Sequence, residues 1–208
     1  MSDIGKYIVI EGGDGTGKTT QADILQKYLE SQGKQVIHLK EPGGSPIGEA
    51  IRSVLLVGTL DRQPMSNILL FTANRHDLWH ATIRPALEQG IWVIATRNYW
   101  STLAYQGYGE GMDAKIIAEV TASFTDENYM NPDYGIMLAL DDISISKLRV
   151  EERGLLAKPD TFESRDAIFH QRVADGYLEI AKTYNLPIVS ASQSIEAVSQ
   201  DIKAVLNL

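Results

Sequence analysis

Short apolar runs alternate with longer amphipathic stretches along this chain, a pattern that predicts strands alternating with helices. The apolar runs predict five strands, at Tyr7–Ile10, Gln35–Leu39, Ile91–Ala95, Tyr134–Leu140 and Pro187–Val189. The amphipathic stretches predict helices at Lys18–Gln32, Ile47–Val57, Met65–Gln89, Asp113–Phe124, Ile143–Glu152, Glu163–Tyr184 and Ile195–Leu206. Because this alternation builds parallel sheets through right-handed crossovers, we expect an α/β fold with three layers: a five-stranded parallel sheet flanked by helices.

A glycine-rich loop joins the first strand to the first helix, and it is the strongest signal in the chain. Residues 12–19 match G-x-x-x-x-G-K-[ST] in full, in the strand-to-helix context that a phosphate loop requires. The backbone N–H groups of such a loop and the helix N-terminus attract phosphate oxygens. Lys18 is expected to reach the outer phosphates, and the Thr19 hydroxyl to ligand Mg²⁺. The nucleotide-binding candidates are Gly12, Gly13, Asp14, Gly15, Thr16, Gly17, Lys18, Thr19 and Thr20.

Composition limits the kind of protein further. The 208 residues suit a single P-loop domain over residues 1–208, and 44% hydrophobic with 22% charged residues is ordinary for a globular chain. The absence of cysteine excludes a disulfide scaffold, a thiolate zinc site and a cysteine nucleophile. A net charge of -8 argues against general nucleic-acid binding, and no apolar run approaches the roughly 20 residues of a membrane span. We therefore expect a cytoplasmic protein without nucleic-acid or membrane partners.

Two acidic residues after the fourth predicted strand leave an alternative open. Asp141 and Asp142 stand where a P-loop ATPase or switch protein holds Mg²⁺ through water. The same residues suit the N-cap and first turn of a helix that begins at Ile143. We favour the capping interpretation, because further motifs indicate a kinase.

Those motifs follow the phosphate loop in order and extend over nearly the whole chain. They are Glu41–Gly44, Leu70–Arg75, Arg97–Gly107, Arg153–Gly154, Asp160–Glu163 and Arg172–Tyr177. Together with the loop they resemble thymidylate kinase. The resemblance implies transfer of the γ-phosphoryl group of ATP to dTMP, giving dTDP, with Mg²⁺ as the metal and a homodimer as the assembly.

The resemblance also implies roles for individual residues on the side of the acceptor. Phe71 matches the ring that stacks on thymine, and Arg75 matches the arginine that hydrogen-bonds a thymine carbonyl. Arg97 matches the arginine that grips the substrate phosphate. Asp14 matches an acid that contacts the sugar 3′-hydroxyl, and Tyr105 a ring that favours deoxyribose. The other substrate-binding positions implied are Glu41, Pro42, Ser101, Thr102 and Gln106.

A segment at about 153–162 looks like the lid that closes over ATP. Family members carry a catalytic arginine either in the phosphate loop or in this lid, and the loop interior Gly13–Thr16 has none. We therefore expect Arg153 to act beside Lys18 and Arg97 in catalysis, with Arg149 and Lys158 as the alternatives.

The chain departs from the family pattern at Thr96, where relatives usually have aspartate before Arg97. Thr161 and Asp175 also replace basic residues found in relatives. Threonine brings no charge to the metal, so we expect Thr96→Asp to strengthen the Mg²⁺ dependence or raise turnover. The departure leaves two further alternatives open: a kinase for a modified deoxyuridylate, and a degenerate nucleotide-binding module.

Overall fold

A computed structural model describes residues 4–58, 60–152 and 161–208 of the chain. Its sheet has five parallel strands in the order β2-β3-β1-β4-β5. The strands are β1 (Tyr7–Gly12), β2 (Val36–Lys40), β3 (Trp92–Thr96), β4 (Tyr134–Ala139) and β5 (Ile188–Ser190). The predicted fold is confirmed, and β1 lies at the centre of the sheet, so the phosphate loop follows the central strand.

The central strands are buried on both faces, which explains their continuous apolar runs. In β1, Tyr7 and Val9 enter one hydrophobic cluster while Ile8 and Ile10 enter the other. Successive side chains of a strand point to opposite faces, so one short run supplies two cores. The sheet is therefore the middle of three layers, as predicted.

Helices cover both faces of the sheet. They are α1 (Lys18–Ser31), α2 (Pro46–Leu55), α3 (Pro64–Leu78), α4 (Arg84–Glu88), α5 (Tyr99–Thr102), α6 (Ala114–Phe124), α7 (Glu127–Met130), α8 (Ile143–Glu152), α9 (Ala167–Thr183) and α10 (Ile195–Val205). Helices α1 and α10 pack on one face through Leu25 and Ile202, and α3 and α9 on the other through Ile68 and Phe169. Within the described ranges, no helix is long and apolar enough to cross a membrane.

The predicted helix Met65–Gln89 is wrong as a single element. It divides into α3, a π-helical segment at Trp79–Ile83, and α4. Pro85 has no N–H to donate and its ring crowds the carbonyl four residues earlier, so a regular α-helix cannot pass through it. The wider π turn just before Pro85 keeps the chain helical.

The structure also differs from the predictions in the start of one helix and in an additional helical segment. The helix predicted from Glu163 begins at Ala167, because the Asp166 side chain accepts the N–H of Phe169 at 2.8 Å and caps it there. A second π-helical segment, Leu103–Gly109, follows α5 where no helix was predicted. This segment packs on α9 and places Tyr105 beside the phosphate loop.

Candidate active site

The phosphate loop runs from Gly12 to the first turn of α1, as the motif predicted. Gly12, Gly15 and Gly17 have φ of 142°, 73° and 88°, a region that L side chains rarely adopt. A Cβ atom on Gly12 would lie 2.3 Å from the carbonyl oxygen of Leu138. Glycine at this position therefore lets the loop pass close to β4.

Lys18 folds back over the loop that precedes it. Its Nζ donates hydrogen bonds to the carbonyl oxygens of Gly12 at 2.8 Å and Gly13 at 2.6 Å. Burial and the nearby charge of Arg97 lower the pKa of Lys18 to about 7. The ammonium group is thus a desolvated cation at the phosphate loop, where a negatively charged ligand would restore its ordinary pKa.

The start of α1 offers a metal only a few ligands. Thr19 is exposed in the first helical turn, so its hydroxyl can reach a cation that arrives with a nucleotide. Among the described residues, no group of three or more His, Cys, Asp or Glu side chains could hold a metal ion. Mg²⁺ usually keeps several waters and binds through one or two protein ligands plus substrate phosphates, so a single hydroxyl such as that of Thr19 is enough protein ligand for it.

Arg97 connects the end of β3 to the phosphate loop. Its Nη2 donates to Asp14 Oδ1, and its Nη1 donates to the carbonyl oxygen of Gly12 at 3.4 Å. Burial alone would raise the pKa of Asp14, but the charges of Arg97 and Lys18 hold it well below its usual range. Tyr105 Oη also donates to Asp14, at 2.6 Å. The structure therefore brings together Asp14, Lys18, Arg97 and Tyr105, four of the predicted site residues.

The backbone at Arg97 is held in an unusual conformation. Its φ of 79° lies in the left-handed region, which costs a residue with a Cβ about 1–2 kcal/mol. The Arg97 N–H donates to the carbonyl oxygen of Ile10 at 3.1 Å, and the Asn98 N–H donates to Glu11 Oε1 at 2.7 Å. These bonds from β1 hold the turn and aim the guanidinium at the loop.

Glu11 joins β1 to the segment after β3. Its carboxylate is fully buried and accepts the N–H of Asn98, the N–H of Ser101 and the Ser101 hydroxyl. No role was predicted for Glu11. A carboxylate at the end of an apolar buried strand was the signal that could have identified it, since such a group needs several donors.

A second buried cation, Arg75, lies on α3. Its Nε donates to Glu41 Oε2 at 2.9 Å, its Nη1 to Thr102 Oγ1 at 2.8 Å and its Nη2 to the Asn98 carbonyl oxygen at 2.8 Å. Glu41 also accepts the Tyr129 hydroxyl at 2.9 Å. Burial raises the pKa of Glu41, and the guanidinium of Arg75 opposes that rise. Arg75 is thus fixed by its neighbours.

Aromatic rings form one wall beside Arg75. The Phe71 ring centroid lies 5.4 Å from the guanidinium carbon of Arg75 and 6.1 Å from the Phe162 ring. Phe162 also contacts Tyr105, with ring centroids 5.7 Å apart. The described end of the predicted lid thus lies against two predicted substrate-binding rings. Residues 153–160, which include Arg153 and Lys158, lie outside the described residues.

The remaining predicted residues surround this centre. Pro42 follows Glu41 and its carbonyl oxygen accepts Arg52 Nη1 at 2.7 Å. Gln106 is fully buried in the π-helical segment that carries Tyr105. Thr16 donates from its hydroxyl to the Gly13 carbonyl oxygen at 2.9 Å, within the loop, and Thr20 lies exposed on α1.

Two cavities adjoin the loop. The larger, of about 810 Å³, is lined by loop residues including Asp14, by Tyr105 and by α9 residues including Tyr177. The smaller, of about 300 Å³, lies along Gly15–Gly17 and the residues between β5 and α10. Arg149 lines the smaller cavity and donates from Nη1 to the carbonyl oxygens of Gly15 at 3.3 Å and Ala191 at 3.1 Å. The phosphate loop therefore has open space on two sides.

The two acidic residues after β4 make hydrogen bonds to nearby serine residues. Asp142 directly precedes α8 and accepts the N–H of Ser144 at 2.8 Å, which is a helix cap as the capping interpretation predicted. Asp141 is exposed and accepts the Ser190 hydroxyl at 3.3 Å. The structure thus gives Asp141 and Asp142 local partners.

Comparison with known proteins decides the family. A family model described as thymidylate kinase matches residues 10–202. The chain belongs to the thymidylate kinase family. It is 37% identical to a thymidylate kinase from Prochlorococcus marinus, over 97% of this chain and 96% of that protein. It is 36% identical to one from Carboxydothermus hydrogenoformans, over 97% of both chains. The crystal structure of thymidylate kinase from Ehrlichia chaffeensis superposes with a TM-score of 0.77 at 29% identity, covering 98% of this chain and 99% of that one.

Thr96 and Thr161 are two of the positions at which the chain departs from the pattern expected for a thymidylate kinase, and both side chains bond to neighbouring segments. Thr96 ends β3 and is almost fully buried, and its hydroxyl donates to the carbonyl oxygen of Leu39 at 3.3 Å. The side chain is thus engaged with the neighbouring strand β2. Thr161 accepts Arg62 Nη2 at 3.2 Å and donates to the Val57 carbonyl oxygen at 3.0 Å. These contacts tie residue 161 to the segment between α2 and α3.

Proposed function

We propose that this protein transfers the γ-phosphoryl group of ATP to dTMP, giving dTDP and ADP. The decisive observation is the direct contact between Arg97 and the phosphate loop, through Asp14 and the carbonyl oxygen of Gly12. An acceptor phosphate held by Arg97 lies next to a donor phosphate held by Lys18. Such a pair of cations suits transfer between two phosphates, and the family membership supports the same reaction.

The reaction needs positioning and charge neutralisation rather than a covalent enzyme intermediate. An oxygen of the dTMP phosphate attacks the γ-phosphorus of ATP. The bond from that phosphorus to the β,γ-bridging oxygen breaks, and ADP leaves with the electron pair. Lys18 and Arg97 stabilise charge on the phosphates from the donor and acceptor sides. Arg153 is the proposed third cation. Thr19 is the residue of this chain that would hold Mg²⁺, and the metal would supply further neutralisation of the donor phosphates.

The acceptor is proposed to lie between α3 and the segment after β3. Phe71 stacks on thymine, with Arg75 and Thr102 at its polar edge. Arg75 and Thr102 are already bonded to each other at 2.8 Å, which supports a rigid edge. Asp14 and Tyr105 face the sugar, and their 2.6 Å hydrogen bond supports a common role in binding it. The remaining acceptor-side residues are Glu41, Pro42, Ser101 and Gln106.

The family resemblance also supports a homodimer that works in the cytoplasm. The proposed dimer face is the apolar-rich region Ile47–Gln89, where Ile47, Val54 and Leu69 expose apolar side chains on α2 and α3. Light scattering on the purified protein tests this part, and a monomeric mass at micromolar concentration contradicts it.

The test of the reaction offers Mg-ATP with each deoxyribonucleoside and ribonucleoside monophosphate in turn. We expect ADP and dTDP in equal amounts with dTMP, and little ADP without an acceptor. Rapid ADP formation without an acceptor would favour the ATPase alternative. Binding of both nucleotides without turnover would favour a degenerate module, and preference for a modified deoxyuridylate would change the acceptor.

A further inference from the structure

Helix α9 reaches into the candidate site through one hydroxyl group. Tyr177 lies 80 residues along the chain from Arg97, and its Oη accepts a hydrogen bond from Arg97 Nη1 at 2.7 Å. The Tyr177 ring is buried and meets the Tyr105 ring edge-on, with centroids 6.3 Å apart. The ring contact fixes where the hydroxyl lies, so α9 sets one side of the Arg97 guanidinium.

The hydrogen bonds around Tyr177 run in one direction. Arg97 can only donate, so its Nη1 gives hydrogen bonds to both Tyr177 Oη and Ser101 Oγ. Burial raises the pKa of Tyr177, which keeps its own proton available for Ser101 Oγ at 2.9 Å. The Ser101 hydroxyl in turn donates to the Glu11 carboxylate, with oxygens 2.8 Å apart. The chain of donors therefore begins at Arg97 and ends on a buried carboxylate.

We propose that Tyr177 is a positioning residue, which acts with Ser101 and Glu11 to hold Arg97 at the edge of the phosphate loop before the acceptor arrives. The inference rests on the proposed function, since it takes Arg97 as the group that receives the acceptor phosphate. A free arginine side chain loses rotamer entropy when it is fixed. A side chain that is already held loses less when the ligand binds, and the ligand then binds more tightly.

The test removes the hydroxyl and keeps the ring, in the variant Tyr177→Phe. We expect the KM and the Kd for dTMP to rise by up to about tenfold, because dTMP must then order the Arg97 guanidinium itself. The KM for ATP and the calorimetric Kd for thymidine, which carries no phosphate, are expected to stay within about twofold. Tyr184→Phe is the matched control, since Tyr184 caps the same helix and packs on Tyr99 and Trp100.

Two further variants test whether Tyr177 acts through Arg97. In an Arg97→Lys background the guanidinium fork is gone, so adding Tyr177→Phe is expected to change dTMP affinity by less than about twofold. Ser101→Ala breaks the same chain at its middle and is expected to give the same selective loss of dTMP affinity. It also keeps the test available if Tyr177→Phe does not fold.

Equal losses of affinity for dTMP and thymidine in Tyr177→Phe would overturn the proposal. So would an effect of Tyr177→Phe on dTMP affinity that is as large in the Arg97→Lys background as in the wild type. An unchanged Kd for dTMP in Tyr177→Phe would do the same. Failure of the proposed function is distinguishable, because it is seen in the wild-type protein as absent transfer to dTMP. The comparison of dTMP with thymidine needs binding only, so it still tests the role of Tyr177 in that case.

Discussion

The side of the candidate site proposed for the acceptor and the side proposed for the ATP donor hold their cations in different ways. On the acceptor side, Arg75 is paired with Glu41 and Arg97 with Asp14. On the donor side, Lys18 and Arg149 give their hydrogen bonds to backbone carbonyl oxygens. A carboxylate attracts a cation with a full negative charge and a carbonyl oxygen only with a dipole, so a phosphate displaces a carbonyl more readily than a carboxylate. The acceptor side is therefore prearranged, and the donor side is ready to exchange partners.

The largest effect is expected from breaking the most buried pair. Glu41→Ala leaves the Arg75 guanidinium buried without its carboxylate, which is expected to lower the free energy of unfolding by about 3–5 kcal/mol. Chemical denaturation measures this change. Glu88→Ala is the control, because its partner Arg84 is exposed and the loss is expected to stay below about 1 kcal/mol. Similar losses in both variants would contradict a prearranged acceptor side.

Removing the donor-side ammonium is expected to affect turnover instead of stability. Lys18→Ala is expected to lower kcat by about 10²–10³-fold, because charge stabilisation of the outer phosphates is lost. Thermal unfolding is expected to remain close to that of the wild type. Lys115→Ala, on the exposed surface of α6, provides the control for loss of a positive charge. Near-normal turnover in Lys18→Ala would argue against the proposed mechanism as a whole.

A smaller effect is expected from placing a carboxylate at position 96. Thr96→Asp is expected to lower the Mg²⁺ concentration for half-maximal activity by up to about tenfold, since it adds a negative charge at the end of β3, next to the end of β1 from which the phosphate loop begins. Thr96→Asn has nearly the same shape without the charge and serves as the control. Titration of Mg²⁺ at saturating ATP and dTMP measures the shift. An equal response of the two variants would show that charge at this position does not matter.

The smallest effect is a proton taken up with the nucleotide. The pKa of Lys18 is lowered to about 7, so much of its charge is absent at pH 8. Bound phosphates favour the charged form and raise this pKa, so ATP binding at pH 8 is expected to take up about one proton. At pH 6 the ammonium is already charged, and the uptake attributable to Lys18 is expected to be small.

Calorimetry in buffers of different ionisation enthalpy counts these protons. Lys18→Arg keeps a permanent charge and is expected to abolish the uptake at pH 8. The same proton count in the variant and the wild type would assign the titration to another group.

Local patterns were enough to predict the sheet and the phosphate loop. Each strand is a short apolar run, and the loop is a contiguous motif, so neither depends on distant residues. Local patterns were not enough for the run Met65–Gln89. Its helical periodicity continues through Pro85, but the regular α-helical hydrogen bonds are interrupted by a π-helical segment. The π-helical segment at Leu103–Gly109 had no signal of that kind and was missed.

The candidate site was predicted less completely, since its contacts join distant parts of the chain. Asp14, Lys18, Arg97 and Tyr105 do meet, yet Tyr177 and Tyr129 were given no role. Tyr129 lies 88 residues from Glu41, and an aromatic residue on a short helix gives no sign of such a partner. The individual substrate roles, including that of Arg153, stay predictions.

The contact between Arg97 and Asp14 also links the affinities for the two nucleotides. The Arg97 side chain touches both the phosphate loop, through Asp14, and the segment after β3, through Ser101. Any change that one ligand makes to the energy of this contact alters the affinity for the other ligand. By linkage, the factor by which dTMP changes the affinity for ATP equals the factor by which ATP changes the affinity for dTMP. Any coupling between the two nucleotides that passes through this ion pair therefore works equally in both directions.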